Sequence, residues 1–145
     1  MIIFLFGVFL IVLGVVAAAS FVEAKIPAAI PYIIKLKLYE EGIGVAAMFL
    51  GLCGLINFVF NIGYWFYAPA MGLLALVSTL LTLALGVVLG LVFISKRLRD
   101  PAVSFPILPR LEGYRARLLP YKKVMGETSI LLGIIYIVLE LTRLF

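Results

Sequence analysis

Four apolar runs, at 2–21, 42–61, 71–95 and 124–145, leave this chain few folds to choose from. A helix rises about 1.5 Å per residue, so a run of about 20 residues crosses the ~30 Å hydrocarbon core of a bilayer. Backbone N–H and C=O groups in lipid must be satisfied within the segment, which makes each run a helix. The expected fold is an all-α membrane protein of four transmembrane helices, a single integral membrane domain over 1–145. Composition agrees: 13% of the residues are charged and 66% hydrophobic, where a soluble domain carries about 25% charged residues.

The first run has a rival reading as a cleaved signal peptide, because Ala17-Ala18-Ala19-Ser20 resembles a small-residue cleavage site. It lacks a basic leading region, and its apolar stretch exceeds the usual 7–15 residues, so it is read as a span. The connector over 22–41 carries Pro27 and Pro31, the second placed to start a short helix or interfacial segment. Ile34-Lys35-Leu36-Lys37-Leu38 alternates with period two, but with no partner strand in view a headgroup-level segment is favoured. Tyr64, Trp65, Phe66 and Tyr67 form an uncharged aromatic turn between spans two and three, suited to one membrane interface. Between Pro109 and Pro120, Leu111, Tyr114, Leu118 and Leu119 recur with helical spacing among Arg110, Arg115 and Arg117, which predicts a short amphipathic surface helix.

Two stretches match each other. Under a shift of 82, Tyr39 meets Tyr121, Gly44 meets Gly126, Leu50 meets Leu132 and Gly51 meets Gly133. Each copy follows its tyrosine with a charged pair, Glu40-Glu41 in one and Lys122-Lys123 in the other. Spans one and three share Leu13-Gly14-Val15-Val16 and Leu85-Gly86-Val87-Val88. Two tandem helical hairpins, as repeats 1–61 and 71–145, account for both matches, although leucine and glycine also coincide readily in apolar helices.

Charge orients the chain. Eleven of the twelve basic residues lie in the two long connectors, including Arg97, Arg99, Arg110, Arg115, Arg117, Lys122 and Lys123, and only Arg143 lies on the other side. The positive-inside bias then makes those connectors cytoplasmic, with both termini and the aromatic turn outside, in a bacterial-type inner (plasma) membrane. The basic residues are candidates for contact with lipid headgroups or a partner. Nucleic-acid binding is not expected of charge placed beside a membrane and outside any recognised binding fold.

Small residues form stripes: Gly44, Ala47, Gly51 and Gly54 on span two, Gly7 and Gly14 on span one, Gly86 and Gly90 on span three, and Gly133 on span four. Such residues let backbones approach, so they are read as helix-packing positions, with self-association through Gly86-xxx-Gly90 as a further use. Cys53 is read as a small packing residue. Among intramembrane polar candidates, Glu127 is placed in the first turn of span four, facing the helix dipole. Glu140 is placed to pair with Arg143 three positions on, and Asn57 lies at a similar depth, within reach of it. Ser78, Thr79 and Thr82 are expected to bond their own backbone.

No catalytic residue, metal site or cofactor ligand set emerges. The absence of histidine excludes His-ligated haem or chlorophyll, and one cysteine excludes a four-cysteine cluster from this chain alone. No Ser-His-Asp, P-loop or dinucleotide pattern is present. An ordered phospholipid is the one bound group the composition suits. The mid-span carboxylate of the small multidrug exporters is missing, as are the glycine-arginine signature of fluoride channels and the Arg/Asn/Glu pattern of glutathione-transferase-like membrane proteins. The expectation is a non-catalytic accessory subunit in contact with lipids and other integral membrane subunits, with a small oligomeric transporter or channel as the alternative.

Overall fold

The computed structural model describes residues 2–97 and 108–144, and every described element is helical. In order these are α1 (Ile2–Ala17), α2 (Ala19–Lys25), a 3-10 turn at Pro27–Ala29, α3 (Ile30–Leu38), α4 (Glu40–Phe60) and α5 (Ile62–Trp65). Then come α6 (Pro69–Arg97), α7 (Leu108–Leu118), a 3-10 turn at Leu119–Tyr121, and α8 (Lys122–Leu144). Three helices are long and apolar enough to cross a membrane: Glu40–Phe60, Pro69–Ser95, and Glu112–Thr142, which takes in α8 and the end of α7. The first apolar run differs from its expected 2–21 span, because α1 ends after 16 residues. At Ala18 the backbone leaves helical geometry (φ −103°, ψ 27°). Hydrogen bonding nevertheless runs through the break, from Ala18 N–H to the Gly14 carbonyl at 2.8 Å and from Val22 N–H to Ala18 at 3.1 Å.

The helices pair crosswise. The two expected hairpins would put α1 beside α4 and α6 beside α8 as close pairs. Instead α4 lies against α6 and α1 against α8, both antiparallel. The physical reason is where the glycines sit. A Cβ built on Gly44 would strike the Gly90 and Leu89 backbone, and one on Gly86 would strike Met48 and Ala47. One on Gly51 would lie 2.7 Å from Leu83 N, and one on Gly54 2.5 Å from the Thr79 methyl. In the other pair, a Cβ on Gly14 would come within 2.5 Å of the Gly126 carbonyl, and one on Gly133 within 2.6 Å of the Gly7 carbonyl. No described glycine has a positive φ. These glycines serve backbone approach and the dispersion contacts it allows. Since Gly86 and Gly90 already face α4, that surface is not open for self-association.

The core gathers where the four long helices meet: Leu13, Val16, Ala17, Ala47, Leu85 and Leu89, with Leu36 and Met125 packed against it. Both Leu-Gly-Val-Val tetrads contribute, since Leu13, Val16, Leu85 and Val88 are all buried. The alternating stretch at 34–38 is helical, within α3, and Pro31 opens that helix as expected. Ile33 is buried and Leu36 packs on the core while Lys35 and Lys37 point outward. The i, i+3 pair buried beneath α3 is what overrides the short period-two pattern. Cys53 is exposed rather than packed, on the side of α4 away from its buried Gly44, Ala47 and Gly51.

Candidate functional site

At the end of the bundle near the aromatic turn, the four long helices part around a cavity of about 300 Å³. Its walls come from Ile3 and Phe6 of α1, Gly54, Asn57 and Phe58 of α4, Trp65 of α5, Ala75, Ser78 and Thr79 of α6, and Tyr136 of α8. Tyr136 meets Phe6 edge-to-face, with centroids 5.6 Å apart, and Phe58 stacks on Trp65 at 5.8 Å. Phe58 and Trp65 also wall an adjoining aromatic groove that includes Phe66 and Gly72. Tyr136 and Ile3 border a small second cavity of about 50 Å³ lined by Leu139 and Glu140.

Polar groups around the main cavity are mostly committed. Ser78 Oγ lies 2.9 Å from Tyr136 Oη and donates to the Ala75 carbonyl at 3.0 Å. With that serine proton used, the tyrosine O–H is left to donate to Ser78. Thr79 donates back to Ala75 and Leu76, and Thr82 to the Ser78 carbonyl at 2.7 Å, so all three hydroxyls bond the helix backbone as expected. The Asn57 side-chain oxygen accepts from Asn61. Asn57 and Glu140 therefore line different cavities, and the partner of Asn57 is its helical neighbour. The site offers an apolar chamber with a few acceptor oxygens.

The opposite end is charged. Lys122 Nζ donates to Glu40 Oε1 at 2.8 Å, and Lys37 to Glu23 at 2.9 Å. Lysine at the start of α8 opposes the helix dipole, while Glu40 at the start of α4 suits it, so the pair offsets the unfavourable placement. Half-buried Arg115 reaches from α7 to the Val88 carbonyl of α6 at 3.0 Å. Arg110 and Arg117 are exposed on α7, as is Lys123 on α8. Arg99 lies outside the described residues. Arg97 and Arg143 are described by backbone alone, so the expected Glu140–Arg143 pair also falls outside the described side chains. Glu127 corrects an expectation: α8 starts at Lys122 and has no acidic residue in its first turn, so Glu127 lies one turn deeper and the capping argument fails.

Three interior residues were given no packing or site role from the sequence: Gly126, noted only as the match of Gly44, Ser129, noted only as polar, and Tyr136. Ser129 is fully buried and donates across to the Leu10 carbonyl of α1 at 2.8 Å. A signal was present, since Gly44, Ala47, Gly51 and Gly54 shifted by 82 become Gly126, Ser129, Gly133 and Tyr136. The described residues hold no group of three or more His, Cys, Asp or Glu suited to a metal ion. Fold and site together define a helical protein whose long segments suit a membrane. Compared with known proteins, the chain matches no family model, no curated protein and no solved structure.

Proposed function

We propose that this chain is a small non-catalytic integral membrane protein, an accessory or structural subunit that packs against larger partners in a multi-subunit membrane complex. One contrast carries the reading. Inside the bundle, hydroxyls bond one another and the backbone; outside, the helices are apolar and uncovered. On α4, Phe49, Leu52, Ile56, Val59 and Phe60 are all exposed, and only 17% of that span is buried. Apolar faces of this extent are matched by lipid tails or another apolar helix. In this reading α1 is the fourth span, lengthened by the bonding that continues into α2. The basic connectors face the cytoplasm and both termini lie outside, in a bacterial-type inner membrane. Purification in mild detergent should return the chain with larger membrane proteins; recovery of the chain alone would count against the subunit role.

The cavity favours a second reading, a small oligomeric transporter or channel, because Asn57, Ser78, Thr79 and Tyr136 line it and Glu140 lies beside it. Proton or cation flux in liposomes that disappears in Glu140→Gln would favour transport. Flux that persists in that variant would remove Glu140 from the mechanism.

The tandem-repeat reading over 1–61 and 71–145 belongs here too. Its support is that Glu40 and Lys122, equivalent under the shift of 82, touch each other. Crosswise pairing also relates α1·α8 to α6·α4, as a pseudo-twofold would. Leu10 and Thr82, equivalent under the shift of 72 that relates the two tetrads, are fully buried, as are Ala47 and Ser129, equivalent under the shift of 82. An experimental structure with Gly14 and Gly86 in unrelated surroundings would remove the idea.

A further inference from the structure

On α7, Arg110, Gly113, Tyr114 and Arg117 enclose an open groove of about 360 Å³. We infer that this groove is a binding site for the phosphate of an anionic phospholipid headgroup. The spacing i, i+3, i+4, i+7 puts the four residues on one face of the helix. The two arginines are two turns apart, about 10.5 Å along the axis, so their long side chains can converge on one phosphate between them. Gly113 forms the floor, and nothing lies within 4 Å of where its Cβ would be. Tyr114, 61% exposed, supplies an amphipathic ring at the rim.

Arg115 turns the other way. Its bond to the Val88 carbonyl ties α7 to α6 and leaves Arg110 and Arg117 facing outward. Val88 lies nine residues before the end of α6 at Arg97, about 13 Å along the axis. The bond thus holds α7 against the flank of a long apolar segment rather than out in solution. Two guanidiniums there complement a lipid phosphate in charge and geometry. The inference rests on the membrane reading above.

The test uses the full chain in phosphatidylcholine nanodiscs containing phosphatidylglycerol, with retained lipids counted by native mass spectrometry. The wild type should retain phosphatidylglycerol in preference to phosphatidylcholine. Arg110→Gln with Arg117→Gln should abolish the preference. Gly113→Leu keeps every charge, meets open space and fills the floor; it should weaken retention about tenfold, or about 1.4 kcal/mol. Full retention in Gly113→Leu would mean diffuse attraction and overturn the site. So would equal retention of the two lipids, displacement by inorganic phosphate, or preferential capture of polyglutamate. A chain that does not enter the disc at all would sink the membrane reading, an outcome distinct from entry without preference.

Discussion

The α4·α6 and α1·α8 pairs use one device, small residues that admit a neighbouring backbone, but they secure it differently. α4 and α6 follow each other through a short aromatic turn, so the chain itself keeps them close. Glycine approach runs along this pair, at Gly44, Gly51 and Gly54 of α4 and at Gly86 and Gly90 of α6. α1 and α8 come from opposite ends of the chain, where bringing them together costs more loop entropy. There the glycines are joined by the buried Ser129 bond to Leu10. α8 also bonds α6 through Tyr136 and α4 through Lys122, so it has a polar contact with each of the other three long helices. Between helices in lipid there is little hydrophobic drive, so shape permits contact and polar bonds select the partner.

The largest expected effect tests the glycine approach of α4 and α6. Gly44→Val would push a side chain into the Gly90 and Leu89 backbone, which cannot rotate away as a side chain can. The expected cost is about 3 kcal/mol or more, seen as loss of a monodisperse species and a lowered melting temperature in detergent. Gly42→Val, two residues away where nothing lies within 4 Å, should stay within about 0.5 kcal/mol. Similar outcomes for the two would refute the close α4·α6 approach.

Next comes the bond within the other pair. Ser129→Ala should cost about 1 kcal/mol in detergent unfolding, and a null effect would mean that α1·α8 is held by shape rather than by this bond. Smallest is the charged link between the pairs. Its partners are 30% and 28% exposed, so Lys122→Glu or Glu40→Lys alone should cost under about 1 kcal/mol. The double exchange should recover most of that loss, as read by a double-mutant cycle. Failure to recover would show that the two side chains act independently.

Much of the architecture was legible in residues. The apolar runs announced α4, α6 and α8, Pro31 announced the start of α3, and the arginine-leucine spacing announced α7. The small-residue stripes lie where α4 meets α6 and where α1 meets α8. Three readings failed for reasons beyond local pattern. Cys53 faces outward because the Gly44–Gly51 stripe already takes the inner side of α4. Glu127 lost its capping position because a 3-10 turn through Pro120 lets α8 begin at Lys122. The first run breaks at Ala18, where a Cβ on Gly126 of α8 would come within 2.9 Å of the Ala18 Cβ. The cavity was not foreseen, since its lining comes from five helices and no single segment encodes it.

What the residues alone determined is local: which segments become helices, which face of each can accept another backbone, and where charge gathers. Those depend on backbone satisfaction in an apolar solvent and on side-chain size, both readable along one chain. Only the assembled bundle decided who pairs with whom. A glycine face accepts any complementary glycine face, so partner choice waited on the buried serine, the tyrosine–serine contact and the Glu40–Lys122 link. Each of those joins residues at least 58 positions apart, a relation invisible until the helices are set side by side.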